Sequence, residues 1–546
     1  MADNKENAIV TSQVDLESTA ADLSPEKKGT NDDQRDMFRM GKHQELRRNF
    51  RFVSIFGFSM ILMASWETML GTSIIGLING GTAGMIWLFL VAWICFLAVN
   101  TSMAEMGSMA PTSGGQYHWV SEFAPRKYQK FMSFIVGWLC VLGWQTGAAT
   151  QVRGTSRQSP DISLLAHALI PHIAFLAGTQ IQGLVILNYP DYTPERWHGT
   201  LLTFAVASFS VFFNTFLVKK LPLVEGIVLI VHVFGFFGVL ITLWVLGPIA
   251  NASDVFTTFN NYGGWSSDGL SAIVGILAVM IPLLGADGAV HMSEELRDAS
   301  KVLPQSMIWT TILNGSMGWI ILITFCFTLG NLDDVIDSPT GQPYIAVFYN
   351  ATQSYAGASV LSALVIFMAI FCNLSITATA SRQLWSFARD QGIPGASWFA
   401  YVRPGWDVPL NSIVVSFVVS CLLSLINIGS TIALNNITSL SLVAILSSYI
   451  VSIGCLFWRR LTYQPLLPAK FTFSRPVGLF LNGFSLIFLV FAFLFAFFPG
   501  NPDPTVEQMN WASLIYGGVM VFAVLHYYVQ ARHVYDGPVE YVRKLV

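Results

Sequence analysis

The sequence predicts an all-α integral membrane protein with twelve transmembrane helices. Three observations carry that expectation. Of 546 residues, 53% are hydrophobic and only 11% are charged, where a soluble chain carries roughly 25% charged residues. Forty-one Phe and sixteen Trp have too few charges around them to be hidden in water-soluble cores. Finally, the apolar residues fall into runs of the length a bilayer demands, about 20 residues each. A soluble enzyme, a disordered chain and a secreted disulfide scaffold are excluded. The net charge of −3 gives no basic balance that would point to nucleic acid.

Residues 1–50 are rich in Lys, Glu, Asp, Ser and Gln and contain no apolar run. They read as a disordered cytoplasmic tail, not a signal peptide. Apolar spans follow near 53–78, 84–107, 131–150, 199–217, 222–247, 269–291, 306–330, 357–380, 410–428, 434–457, 477–498 and 511–530. Together, residues 51–530 form the membrane domain, and 531–546 a short cytoplasmic C-terminal tail. Cys95, Cys140, Cys326, Cys372, Cys421 and Cys455 all sit in apolar runs without metal-ligand spacing. They read as small core hydrophobes, and no metal or cofactor site is expected.

Lys and Arg set the orientation because they are retained on the cytoplasmic side. With the N-terminus inside, all of the 29 Lys and Arg except Arg153, Arg157 and Arg196 fall in cytoplasmic segments. The outer loops instead carry acids such as Asp254, Asp333, Asp334 and Asp337. Both termini are therefore expected inside. Sequons at Asn251 and Asn350 fall outside, where glycosylation is chemically open to them. Two of the exceptions belong to 152–173 (VRGTSRQSPDISLLAHALIPHI), a polar, Pro-containing stretch that interrupts span 3. Counting 174–188 as another span would flip every later basic loop outside. That run is therefore expected to complete span 3 after an excursion.

Ionisable residues at membrane depth are costly and default to functional candidates. Glu67 lies in span 1 and Asp287 in span 6. Around Asp287, Pro282, Gly285 and Gly288 mark a helix break. Spans 1 and 6 begin two five-span halves, and interrupted helices at matching positions point to a midplane binding site. Such a break frees backbone amides and carbonyls for a charged ligand, away from lipid. The bland alternative is an acid that only pairs with a neighbour. Glu105 and Glu225, near cytoplasmic span ends, read as structural. His232 and His526 read as satisfied core histidines. Trp66 and Trp144 could stack on a cationic ligand or simply pack. Asn373 and Ser375 of span 8 could be site ligands or interhelical hydrogen-bonding groups.

Three stretches now bear on identity. Pro111-Thr112-Ser113-Gly114-Gly115-Gln116-Tyr117-His118-Trp119 follows span 2. The run from Gly285 through Asp287 and Glu294 to Pro304 closes span 6. Ser381-Arg382 and then Ala388-Arg389-Asp390-Gln391-Gly392-Ile393-Pro394 follow span 8. In that order, the three resemble the signatures of the amino acid–polyamine–organocation transporter superfamily, specifically its fungal amino acid/choline/GABA permease branch, over residues 50 to 530.

The resemblance implies a five-plus-five inverted repeat with broken helices 1 and 6, and alternating access. It also implies a substrate held between the two breaks, usually with proton coupling and without a cofactor. Carried over to this sequence, the substrate-binding candidates are Trp66, Glu67, Thr68, Trp144, Gly285, Ala286, Asp287, Gly288 and Asn373. Glu67 and Asp287 are the candidates for proton coupling. Many relatives place a small Gly-rich tripeptide at the span 1 break. Spacing back from Gly80-Gly81 puts Trp66-Glu67-Thr68 at that place. A Glu there repels a carboxylate and attracts a cation. This shifts weight towards choline, a polyamine or another organic amine, with GABA-type zwitterions and amino acids still open. Residues 152–173 are extra to the family pattern. They read as a translated intron, with a genuine loop insertion as the alternative.

No nucleotide-binding loop appears, so a secondary transporter of a small nitrogenous compound is expected, in the plasma membrane. A non-transporting nutrient sensor of the same fold is the competing class, and the short C-terminal tail disfavours it. A membrane enzyme lacks any clustered His, Cys or Ser–His set in the spans.

Overall fold

A computed structural model describes residues 25–147, 173–429, 431–506, 509–535 and 537–538. The 152–173 stretch therefore lies outside the described residues, apart from Ile173. Among the described residues the protein is helical, and the only β pairing is two isolated bridges.

Span 1 is two helices, Phe52–Met63 and Ser65–Ile78. Span 2 is Gly81–Met109, and the short helix Gln116–Phe123 follows it. Span 3 begins with Gln129–Gly147, and Ile173–Asn188 forms a separate described helix. Spans 4 and 5 are Arg196–Thr215 and Leu221–Leu246. Span 6 runs in pieces from Asp268 to His291 and is followed by a 3-10 turn, Ser293–Glu295; span 7 is Ala299–Phe327. Spans 8 to 11 are Tyr355–Arg389, Leu410–Gly429, Thr431–Leu461 and Arg475–Phe495. Span 12 begins at Ala512 and ends in a π-helical turn over Tyr527–Ala531. These are the twelve expected helices. Ten contain segments long and apolar enough to cross a membrane, among the described residues. The other two are spans 3 and 4. Their apolar runs are diluted by Gln129, Lys130 and Gln145, and by Arg196, His198 and Asn214.

Spans 1 and 6 lie side by side and antiparallel. Phe50 pairs with Leu296 at one end, and Asn79 with Asn261 at the other. In between, the Ser65 hydroxyl donates to Pro282 O at 2.5 Å and the Thr72 hydroxyl to Ala278 O at 3.1 Å. The first helices of the two halves thus meet in opposite senses. Span 1 is buried throughout its apolar window, whereas span 5 buries only 28% of its own. Span 5 therefore rides on the outside of the bundle against spans 1 and 7.

The tail expected to be disordered over 1–50 is folded from Pro25 onward, with helices at Pro25–Lys28 and Asn31–Arg39. Four of its apolar side chains, Met37, Met40, Leu46 and Phe50, are buried, while Phe38 is exposed. Its charges find fixed partners. The Asp33 carboxylate accepts from Asp298 N and Ala299 N, both at 3.0 Å, and so caps span 7. Arg47 pairs with Asp407 at 2.5 Å, and Asp32 with Lys470 at 3.1 Å. Lys42 pairs with Asp390. The tail and the 6–7, 8–9 and 10–11 loops therefore meet at one end of the bundle. A polar composition looked disordered because its partners lie hundreds of residues away.

Candidate functional site between the two helix breaks

The break in span 1 falls at Ala64, which adopts a left-handed conformation with φ 39° and ψ 50°. The first half-helix closes there through Ala64 N to Met60 O at 2.9 Å. The expected break at Trp66-Glu67-Thr68 is corrected by two residues. Those three form the first turn of the second half-helix, where an acid is favoured by the helix dipole. The span 6 break runs from Leu284 to Asp287. Pro282 has no N–H to continue the ladder, Leu284 is extended, and Gly285 takes φ 106°. Both Gly285 and Gly288 face Leu62, where an added Cβ would lie 2.4 Å from a Leu62 methyl. Leu62 wedges the two breaks together.

A cavity of about 50 Å³ lies between them, room for only a few water molecules. Leu62, Met63 and Thr68 of span 1 line it, with Ile281, Leu284 and Gly285 of span 6 opposite. Trp144 and Gly147 of span 3 and Leu176 of the helix Ile173–Asn188 close one side. Ile376 of span 8 and Ser441 and Ile445 of span 10 close the other. Gly147 and Leu176, on either side of the 148–172 stretch, thus reach the same cavity. No Lys, Arg, Asp or Glu is among these lining residues.

Of the residues singled out from sequence, Thr68, Trp144 and Gly285 reach the cavity. Trp144 also meets His291 edge to face, with ring centroids 5.5 Å apart. The others point elsewhere. Trp66 packs against His232 and Phe236. Glu67 turns to His232, with Oε1 2.7 Å from Nδ1. Ala286 is buried within the break, and Gly288 packs on Leu62 and Thr379. Asp287 accepts from Gln116 Nε2 at 2.7 Å and from the Tyr449 hydroxyl at 2.6 Å. Asn373 donates to Ser210 of span 4 at 2.8 Å, and Ser375 to Glu225 at 3.0 Å. Gln116 belongs to a recognisable motif. Tyr449, Leu62 and Ser441 look like ordinary span residues and carry no sequence signal. Among the described residues, no three His, Cys, Asp or Glu side chains converge as metal ligands.

At the tail end of the bundle the three motif stretches meet. Arg389 grips Glu294 through two parallel bonds of 2.8 and 2.7 Å. Glu294 also accepts from the Thr112 hydroxyl at 3.1 Å and from Ser113 N at 3.2 Å. Burial acts to raise the Glu294 carboxyl, but Arg389, Lys42 and Ser113 N–H outweigh it and hold its pKa down at about 2. Arg382 is fully buried and pairs with Glu295 at 2.9 Å. Tyr117 donates to Asp390 at 2.9 Å, beside Lys42, whose pKa burial pushes below the ordinary lysine value against the pull of Asp390. This network ties the tail and the three motif stretches together at that end of the bundle.

Comparison with known proteins agrees with this geometry. A family model described as "Amino acid permease" matches residues 50–156 and 162–521. A putative amino acid/polyamine transporter of Macrophomina phaseolina is 30% identical, over 84% of this chain and 96% of its own length. A choline transporter of Saccharomyces cerevisiae is 27% identical, over 88% of this chain and 81% of its own. Among solved structures, the manganese transporter of Eremococcus coleocola superposes with a TM-score of 0.51 at 12% identity. It covers 91% of this chain and 95% of that one, a likeness of fold alone.

Proposed function

The chain belongs to the amino acid permease family, and from that premise we propose that it carries a small organic cation across the membrane by alternating access, coupled to a proton. The observation that carries this reading is the cavity between the two breaks. It offers the Trp144 ring, the hydroxyls of Thr68 and Ser441, and apolar walls, and among the described residues no cationic side chain lines it. A substrate carboxylate would find half-helix amides and two hydroxyls there, but no opposite charge among the described residues. A quaternary ammonium has no N–H to satisfy and is held by an aromatic face and by carbonyl dipoles. Choline is therefore the leading substrate, ahead of a polyamine, GABA or an α-amino acid. The names of the relatives, a choline transporter and an amino acid/polyamine transporter, support the same class.

Asp287 is the acid nearest the span 6 break, two residues beyond Gly285. Gln116 Nε2 can only donate, whereas the Tyr449 hydroxyl donates to the carboxylate and can turn to accept from the protonated acid, so either protonation state of Asp287 has a partner there. We assign it to the coupled proton on the cytoplasmic side of the cavity. Plasma-membrane residence, cytoplasmic termini and glycosylation at Asn251 and Asn350 complete the reading. Asn251 is exposed, and Asn350 is half-buried on the helix Pro343–Thr352.

The test is uptake of radiolabelled choline, GABA, putrescine and several amino acids in a permease-deficient host, at pH 5.5 and 7.5. Choline uptake that rises at the lower pH is the expected outcome. Uptake confined to α-amino acids would overturn the cation assignment, and pH-independent uptake would overturn the coupling.

A further inference from the structure

Glu67 does not face the cavity, yet it belongs to the half-helix that forms one wall. It lies three residues beyond the left-handed Ala64, and the next residue, Thr68, lines the cavity. Its carboxylate points across to spans 5 and 7. Oε1 lies 2.7 Å from His232 Nδ1, and Nε2 of the same ring lies 3.1 Å from Asn314 Oδ1. The Asn314 amide nitrogen donates to Met60 O at 2.9 Å. A carbonyl can only accept, so the amide oxygen must face the ring and His232 Nε2 must carry a hydrogen.

That leaves the 2.7 Å contact between a ring nitrogen and a carboxylate oxygen. It requires one hydrogen, on either atom. Imidazolium with carboxylate and imidazole with carboxylic acid have the same proton count. The pair therefore holds one proton more than a neutral histidine beside a free carboxylate. Without it, a nitrogen lone pair would face a carboxylate lone pair in a site sealed from water. All three side chains are at most 2% exposed. Glu67 Oε2 is buried and has no partner, which leaves one open acceptor for an arriving water.

Few other titratable groups come near. Span 8 brings Cys372, whose thiol donates to Leu62 O at 3.0 Å. Span 5 carries Glu225 two turns away, held by Ser375. The helix Pro343–Thr352 packs on spans 1 and 5 and brings the buried Tyr344. From span 7 the group facing the pair is Asn314, which is neutral. Among the described residues, no Lys or Arg forms an ion pair with Glu67 or a hydrogen bond with either member of the pair.

We propose that Glu67, His232 and Asn314 form a one-proton latch that ties the outer half of span 1 to spans 5 and 7. With the proton in place the half-helix is docked and the cavity is closed. When the proton passes to water, Glu67 and His232 repel, and the half-helix pivots about Ala64 and carries Thr68 with it. Span 5, mostly unburied, is the partner free to move. His232 and Asn314 are positioning residues, acting through Glu67. The latch rests on the proton-coupled reading above and gives that coupling a conformational route.

The test uses the full chain in proteoliposomes and needs no substrate. The labelling rate of Thr68→Cys by a small thiol reagent is measured from pH 5.5 to 8.5, in the parent chain and with Glu67→Gln. The glutamine amide still donates to His232 but has no proton to lose. The ratio of the two rates cancels the ionisation of the thiol itself. Opening governed by one proton raises that ratio by up to about tenfold per pH unit. A ratio that stays flat across the range overturns the latch, as a packing role for the pair requires. Ser441→Cys on the opposite wall gives the same readout if Thr68→Cys does not fold, and His232→Gln must abolish the pH response as Glu67→Gln does. A rising ratio in a chain whose choline uptake ignores pH would keep the latch and discard the coupling. A flat ratio with pH-driven uptake would do the reverse.

Discussion

Gly285 and Leu62 are locked together: a Cβ on Gly285 would lie 2.4 Å from Leu62 Cδ2, and Gly285 itself takes φ 106°. Gly288 meets the same leucine at the same distance, without a positive φ. The two glycines therefore answer different demands, one of space and backbone, the other of space alone.

Gly288→Ala should lose transport, and adding Leu62→Ala should recover much of it, because the clash is removed. Gly285→Ala should stay inactive with Leu62→Ala. A left-handed backbone at a residue with a Cβ costs roughly 1–2 kcal/mol or more whatever the space. Uptake normalised to surface protein distinguishes the two, and equal rescue would mean that only crowding matters.

The Arg389–Glu294 grip should hold its contribution to stability constant across ordinary pH. The Glu294 pKa is held down at about 2, against an ordinary 4.5. A depressed carboxylate stabilises the fold above its unfolded pKa and loses that contribution as pH falls through the folded one. The stability gap between the parent and Glu294→Gln, about 3–5 kcal/mol for a broken buried pair, should therefore be flat from pH 5.5 to 8. It should shrink only between about 4.5 and 2. Thermal unfolding in detergent reads this directly.

Lys42 and Asp390 should be strongly non-additive. Asp390→Asn strands a buried ammonium and should cost about 3–5 kcal/mol. The double variant with Lys42→Met removes both charges and should unfold much closer to the parent. Additive losses in a double-mutant cycle would mean that the pair is not energetically coupled.

Trp144→Ala should raise the apparent KM for choline about 30-fold, the equivalent of a desolvated cation–π contact near 2 kcal/mol. Trp144→Phe should lose less, since a ring face remains. Equal losses for choline and for a neutral competitor would assign Trp144 to packing.

Orientation is open to a direct check. In intact cells, a membrane-impermeant reagent should label Asp334→Cys and leave Lys301→Cys untouched. The reverse pattern would invert the bundle.

Much of the architecture was legible in the sequence. Span length is a property of contiguous residues, and the bilayer imposes it. Pro282, Gly285 and Gly288 announced the span 6 break because each disables the helix ladder by its own covalent chemistry. Span 1 carried no such breaker, and its break fell on an alanine. Nothing in Met63-Ala64-Ser65 disfavours a helix locally. The bend is held by Ser65 reaching Pro282 and by Leu62 wedged against the two glycines of span 6.

What the sequence alone determined, then, is which segments span the membrane, roughly where each lies, and that two acids lie at membrane depth. Those follow from composition and short-range pattern. Where the acids point was decided only in three dimensions. Glu67 and His232 are 165 residues apart, and Asp287 meets Tyr449 across 162. A buried charge takes whichever donor the packing brings within about 3 Å, and that donor is set by how helices from both halves of the chain converge. The same reason explains the tail. Its charges looked solvated as a string and became ordered only where Asp390, Asp407 and Lys470 came to meet them.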